Sequence, residues 1–206
     1  MTAYSPCRSK RKDARHDRTL VLNTTVRIVL LNGVGSAGKG SIAKALQAIT
    51  TDAFLHVEMD AFLQMLPERC IGHPDGLTFE TVENNGKPEV IIKTGPVATR
   101  AFRGMRHAIA AMAAQGNNLI VDDVMMSGQM AEYETLLARF ELFRVGVLAP
   151  LEVLELRERQ RGDRMIGLAR WQYDRVHSGK KYDLELDTSS ATPMECAEMI
   201  KLKFQL

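Results

Sequence analysis

The sequence predicts an α/β fold, a doubly wound parallel five-stranded sheet in a three-layer αβα arrangement. Three observations carry the prediction. Short β-branched runs alternate with stretches of helical apolar period from residue 26 onward. Strands that alternate with helices build parallel sheets covered on both faces. A chain of 206 residues with 45% hydrophobic and 25% charged side chains is long and apolar enough to bury one core without disulfides or a structural metal.

Residues 26–31 read as the first strand, followed by a glycine-rich turn and a helix through 41–48. Residues 54–58 are a second strand, with a helix starting near Asp60. Two alternating runs, 78–82 and 89–93, flank Asn84-Asn85-Gly86-Lys87, which is a hairpin signature. After Gly95-Pro96 comes an amphipathic helix over 97–115, closed by Gly116 in the C′ position. Residues 118–122, 142–148 and 182–187 complete the strands, with helices near 129–139, 151–161 and 163–177 between them. Thr192 as N-cap, Pro193 at N1 and Glu195 three residues on form a capping box that starts the last helix. Residues 1–25 form a flexible basic arm and 26–206 a single domain, with 77–94 as a hairpin insertion and 155–178 as a lid region.

Composition excludes several classes. No apolar run reaches the ~18–20 residues of a membrane span, and the basic N-terminus lacks the apolar core of a secretory signal. Cys7, Cys70 and Cys196 are odd in number and without metal-type spacing, as expected of reduced thiols in a cytoplasmic protein. The five histidines show no H-x-x-x-H pair. Residues 1–18 hold six Lys and Arg against two Asp, a balance of +4, and the remainder holds 21 against 23. The arm has no interleaved aromatics, so nucleic acid is not an expected partner, nor is a membrane.

Between the first strand and the first helix lies Gly33-Val34-Gly35-Ser36-Ala37-Gly38-Lys39-Gly40-Ser41. It fits both the phosphate-cradling loop G-x4-G-K and the dinucleotide fingerprint G-x-G-x-x-G, and Glu58 falls where a ribose-binding acid would sit. The lysine decides in favour of the first. Backbone N–H groups of residues 33–41 and the helix N-terminus attract phosphate, and an ammonium after the last glycine serves a triphosphate but adds nothing to a dinucleotide. The hydroxyl usual after the lysine comes one place late, at Ser41, a Gly-Lys-Gly-Ser order similar to adenylate-kinase-type loops. The sheet is therefore of the P-loop NTPase/kinase type.

Asp60, just past the second strand, lies where ligands gather in doubly wound sheets. It can accept a hydroxyl proton from a substrate or cap the helix that follows. Asp122 and Asp123 end the apolar run 119–121 in the Walker-B manner, so that with Ser41 either one can serve Mg²⁺, or the pair can simply form a turn. Arg157, Arg159, Arg161 and Arg164 crowd around Gly162-Asp163. Glu155 four residues before Arg159 suggests an exposed helix face for Arg157 and Arg159, while Arg161 and Arg164 are read as lid arginines that neutralise a transferring phosphate. Trp171, Met105 and Met112 are read as core.

With these residues in place, the chain resembles the chloramphenicol phosphotransferases, small P-loop kinases that phosphorylate a primary hydroxyl of the antibiotic. The resemblance runs from about residue 28 to 200. It rests on Leu31-Asn32-Gly33 with Ser36-Ala37-Gly38-Lys39, on Asp60, and on Ile120-Val121-Asp122-Asp123-Val124. Arg161-Gly162-Asp163-Arg164, Val176-His177, Tyr182-Asp183 and Glu185-x-Asp187-Thr188 continue it. It implies transfer of the γ-phosphoryl group from ATP, with Mg²⁺, to a small hydroxylated acceptor, and it makes Asp60 the base and 33–40 the nucleotide loop. The Gly40-Ser41 order, the longer N-terminal arm and a longer 77–94 hairpin, bordering the acceptor pocket, depart from the family pattern. Other readings are the same chemistry on a sugar, shikimate-like or nucleotide acceptor, an NAD-binding oxidoreductase, and a nucleotide-binding regulator that touches nucleic acid through its arm.

Overall fold

Alternation along the first strand decides the architecture. In β1 (Arg27–Gly33), Ile28 and Leu30 point into one apolar core and Val29 and Leu31 into another, all four fully buried. A strand buried on both faces is the central strand of a covered sheet. The computed structural model describes residues 25–126, 128–162 and 164–206. The arm at 1–24, with Cys7, and Asp163 lie outside the described residues.

The chain continues through α1 (Lys39–Ile49), β2 (Phe54–Glu58), α2 (Met59–Leu63), β3 (Leu77–Asn84) and β4 (Lys87–Thr94). Next come α3 (Pro96–Ala114), β5 (Asn118–Asp123), α4 (Gln129–Leu136), β6 (Glu141–Leu148), α5 (Leu151–Arg161) and α6 (Leu168–Val176). It closes with β7 (Leu184–Asp187) and α7 (Pro193–Phe204). Five parallel strands lie in the order β2-β5-β1-β6-β7, and β3 pairs with β4 in a separate antiparallel hairpin. One core packs α1, α6 and α7 against the sheet, the other α3 and α4. This is the three-layer sheet expected from the sequence.

Boundaries moved where side chains had other work. β7 starts at Leu184, two residues late: the Asp183 carboxylate accepts the Arg144 N–H at 2.8 Å, and the ladder to β6 begins with Leu184 beside Val145. α6 starts at Leu168 after Gly167, whose φ of 100° breaks the chain direction. Thr192 and Glu195 form the expected capping box at α7. Among the described residues, no helix is long and apolar enough to cross a membrane.

Candidate active site

The loop after β1 closes around its own lysine. Lys39 is 6% exposed; its Nζ donates to the carbonyls of Gly33 at 3.0 Å and Val34 at 3.2 Å and stands 3.6 Å from Asp122 Oδ1. Register explains that carboxylate: β5 pairs directly with β1, setting Asp122 beside Leu31, and β2 sets Glu58 beside Asp122 on the other side. Burial pushes the Asp122 carboxyl up, opposed by the Lys39 and His56 charges and assisted by Asp60 and Glu58. Asp60 therefore belongs to the same electrostatic cluster.

The adjacent aspartate does something else. Asp123 Oδ2 accepts the Tyr133 hydroxyl at 2.9 Å and Oδ1 accepts the Val124 N–H at 2.7 Å, inside the α3–α4 core. Successive strand residues point to opposite sides. Asp123 is turned away from the loop, which corrects the expectation that it could serve Mg²⁺ as well as Asp122.

Gly40 faces the carboxylates. A Cβ there would lie 3.4 Å from Asp122 Oδ2 and 3.6 Å from Glu58 Oε1. Ser41 instead lines a cavity of about 600 Å³ beside Ser36–Gly38, Arg157, Arg161 and Thr188. Asp122 and Glu58 are hard oxygen donors of the kind Mg²⁺ takes along with hydroxyls, phosphate oxygens and waters. Among the described residues no group of three or more His, Cys, Asp or Glu is built around a metal. His56, not singled out by the sequence reading, sits between the two acids, with Nδ1 3.3 Å from Glu58 Oε1 and Nε2 3.9 Å from Asp122 Oδ2. Burial outweighs both carboxylates and pushes its pKa down.

Asp60 is not a cap. The N-cap of α2 is Glu58, and Asp60 falls in the first turn, where its carboxylate accepts from Arg164 Nη2 at 2.5 Å. Nor does its strand neighbour the loop strand, since β5 stands between β2 and β1. Arg164, expected at the transferring phosphate, is instead tied to the candidate base. Met65 just beyond α2, and Met165 and Ile166 just beyond Arg164, are exposed apolar residues.

Arg157 is not the surface residue expected of it. Its guanidinium donates to Thr188 Oγ1 at 2.9 Å and to the Thr188 carbonyl at 2.6 Å, closing one wall of the cavity. Arg159 is exposed. Glu155 pairs with Arg170 and Lys87 rather than with Arg159. Glu158, missed in sequence, is 2% exposed and accepts the N–H groups of Gly167 and Ala169 at 2.8 and 2.7 Å, holding the start of α6. Ala169 and Val176 lie in the core and anchor α6. The hairpin docks on the start of α6 through the Val90 N–H to the Gly167 carbonyl, 3.0 Å, and on its last turn through Glu89, which accepts from Arg175 at 3.4 Å. No local pattern marks Glu158: a glutamate among arginines looks like a solvated helix face.

A loop that wraps its lysine on the central strand, faced by a strand-end aspartate and walled by arginines from α5, defines a P-loop phosphotransferase. The strand order excludes the dinucleotide fold, which sets its second strand beside its first. Solved kinases share the fold. The chain is similar to the APS kinase CysC of Mycobacterium tuberculosis, in complex with AMPPNP and APS, with a TM-score of 0.62, 15% identity, and coverage of 88% of this chain and 99% of that one. It is likewise similar to a sugar kinase from Janibacter, with a TM-score of 0.61, 19% identity, and coverage of 87% and 95%. A Mycobacterium tuberculosis relative named as a candidate O-phosphotransferase is 30% identical over 185 residues, covering 87% of this chain and 82% of its own length. The family described as chloramphenicol phosphotransferase-like protein matches residues 26–205. The chain belongs to that family.

Proposed function

We propose that the protein transfers the γ-phosphoryl group of ATP to a hydroxyl of a small acceptor, with chloramphenicol the first acceptor to test. The observation that carries this reading is the Asp60 carboxylate. It stands at the carboxyl end of the sheet, inside the electrostatic cluster of Lys39 and Asp122 and ion-paired across to Arg164. The acceptor oxygen bonds to the γ-phosphorus, the bond to the β–γ bridging oxygen breaks, ADP leaves, and the hydroxyl proton passes to Asp60.

Lys39 binds the phosphates together with loop amides of residues 33–41 other than Gly35 and Ala37, whose N–H groups go to Gln172 Oε1 and the Val34 carbonyl. Asp122 and Glu58 would hold Mg²⁺, which when bound spreads the charge of the β- and γ-oxygens. Arg161 and Arg157 stand in the cavity wall where a nucleotide would lie, and Arg164 orients Asp60. An acceptor screen with ATP and Mg²⁺ tests the reading, with transfer read by mass. Chloramphenicol gaining one phosphoryl group is the expected result. Gain by sugars, shikimate or nucleosides alone would replace the acceptor and keep the chemistry, and ATP that does not bind at all would end the reading.

A further inference from the structure

Gln172 brings a carboxamide to the phosphate loop from a distant helix. It lies in the middle of α6 and is 4% exposed, a burial that costs free energy unless its polar atoms are used. Its Oε1 accepts the Gly35 N–H at 2.7 Å. A Cβ at position 35 would come within 3.2 Å of that oxygen, a tight contact that glycine avoids.

The position on the loop matters. Lys39 Nζ rests on the carbonyls of Gly33 and Val34, the two residues just before Gly35. The ammonium of such a loop reaches β- and γ-phosphates, so residues 33–35 are the γ end, while Gly38 and the start of α1 are the other end. Gln172 therefore meets the loop where the transferred group lies. The helix that carries it is held from behind: the Val176 carbonyl accepts from Asn32 Nδ2 at 3.0 Å, and Glu158 holds the first turn. A carboxamide with its oxygen engaged still has two N–H donors. Among the described residues no hydrogen bond uses them.

We propose that Gln172 is a further catalytic residue: Oε1 fixes the Gly35 amide, and Nε2 donates to a γ-phosphoryl oxygen of the bound triphosphate. The proposal rests on the reading of the chain as an ATP-dependent phosphotransferase. Gln172→Met keeps the volume and removes both interactions. Gln172→Glu keeps an acceptor for Gly35 and replaces the donor by a negative charge.

The test measures ATP and ADP affinity of the whole chain by calorimetry, with melting as the control for folding. Wild-type protein that binds neither nucleotide would defeat the phosphotransferase reading itself, whatever Gln172 does. Given binding, the ratio of ATP to ADP affinity is expected to fall about tenfold in Gln172→Met and further in Gln172→Glu, with ADP affinity nearly kept, since a hydrogen bond to a charged group is at stake. A ratio unchanged in either folded variant would overturn the proposal. The wild-type side-chain amide supplies an independent readout by NMR: its Nε2 signal is expected to move with a non-hydrolysable ATP analogue and not with ADP. Equal movement with both would equally overturn it.

Discussion

The nucleotide side and the acceptor side of this site are built in opposite ways. The nucleotide side is centred on nine consecutive residues, 33–41, whose backbone closes on Lys39, with Asp122 from the neighbouring strand and Arg157, Arg161 and Gln172 added around it. The proposed acceptor side is assembled from segments far apart in the chain: Asp60 of α2 meets Arg164 across 104 positions, and the hairpin reaches the start of α6 from Val90 to Gly167. Phosphate binding can be held constant by one compact motif while the acceptor side changes through loops that share no contiguous sequence. That is consistent with kinases of 12–19% identity sharing the fold.

The largest expected break lies on the acceptor side. Asp60→Asn keeps an oxygen for Arg164 and removes the base, so transfer should fall by ~10²–10⁴ while ATP affinity stays near wild type. Melting should hardly move, because Asp60 is 37% exposed and an ion pair of that kind contributes ~0–1 kcal/mol. If Arg164 works through Asp60, adding Arg164→Ala to Asp60→Asn should cost little more, a non-additivity read from the rates of all four proteins. Fully additive losses would separate Arg164 from the base and return it to the phosphate. Near-normal turnover by Asp60→Asn would remove the base altogether.

A smaller loss is expected on the nucleotide side. Lys39→Ala deletes a charge-assisted contact to β- and γ-oxygens, and ATP binding should weaken by roughly 10–100-fold. Adenosine, which lacks those oxygens, should bind as before. Equal losses for both would mean that the loop, whose carbonyls Lys39 also holds, had collapsed.

The same contrast sets what the sequence could show. The five strands, the loop and the capping box are local patterns of spacing, and they were legible. The choice between Asp122 and Asp123 was not, since both end the same apolar run and only the strand's facing decides it. The roles of Arg157, Glu158 and Gln172 depend on what each side chain meets in a distant element: Thr188, the start of α6 and Gly35. A run of arginines and glutamates gives no local sign of such partners. The family resemblance raised Asp60 above a cap reading, yet its pairing with Arg164 required the folded chain.

The smallest effect comes from the neighbour that looks most like a site residue. Asp123 is fully buried, and burial pushes its carboxyl above the ordinary 3.8 despite the bonds from Tyr133 and Val124. Below pH 3.8 both folded and unfolded chains hold this proton. As pH rises past that value the unfolded chain releases it first, so the wild-type fold loses stability until the folded carboxyl also ionises, and the loss is constant above that point. The Asp123→Asn variant has no proton to release. It keeps an oxygen for the Val124 N–H and can donate its amide to the Tyr133 oxygen. Relative to wild type, its stability should improve as pH rises from about 3.8 toward neutral, read from melting at a series of pH values. Its transfer rate should stay close to wild type, because both carboxylate oxygens are taken by Tyr133 and Val124 on the α3–α4 side of the sheet. Asp122→Asn, one residue away and beside Lys39, should lose most of its transfer and its response to Mg²⁺. If Asp123→Asn is the variant that loses them, the two aspartates have exchanged roles and the carboxylate pair at Gly40 does not serve the cation.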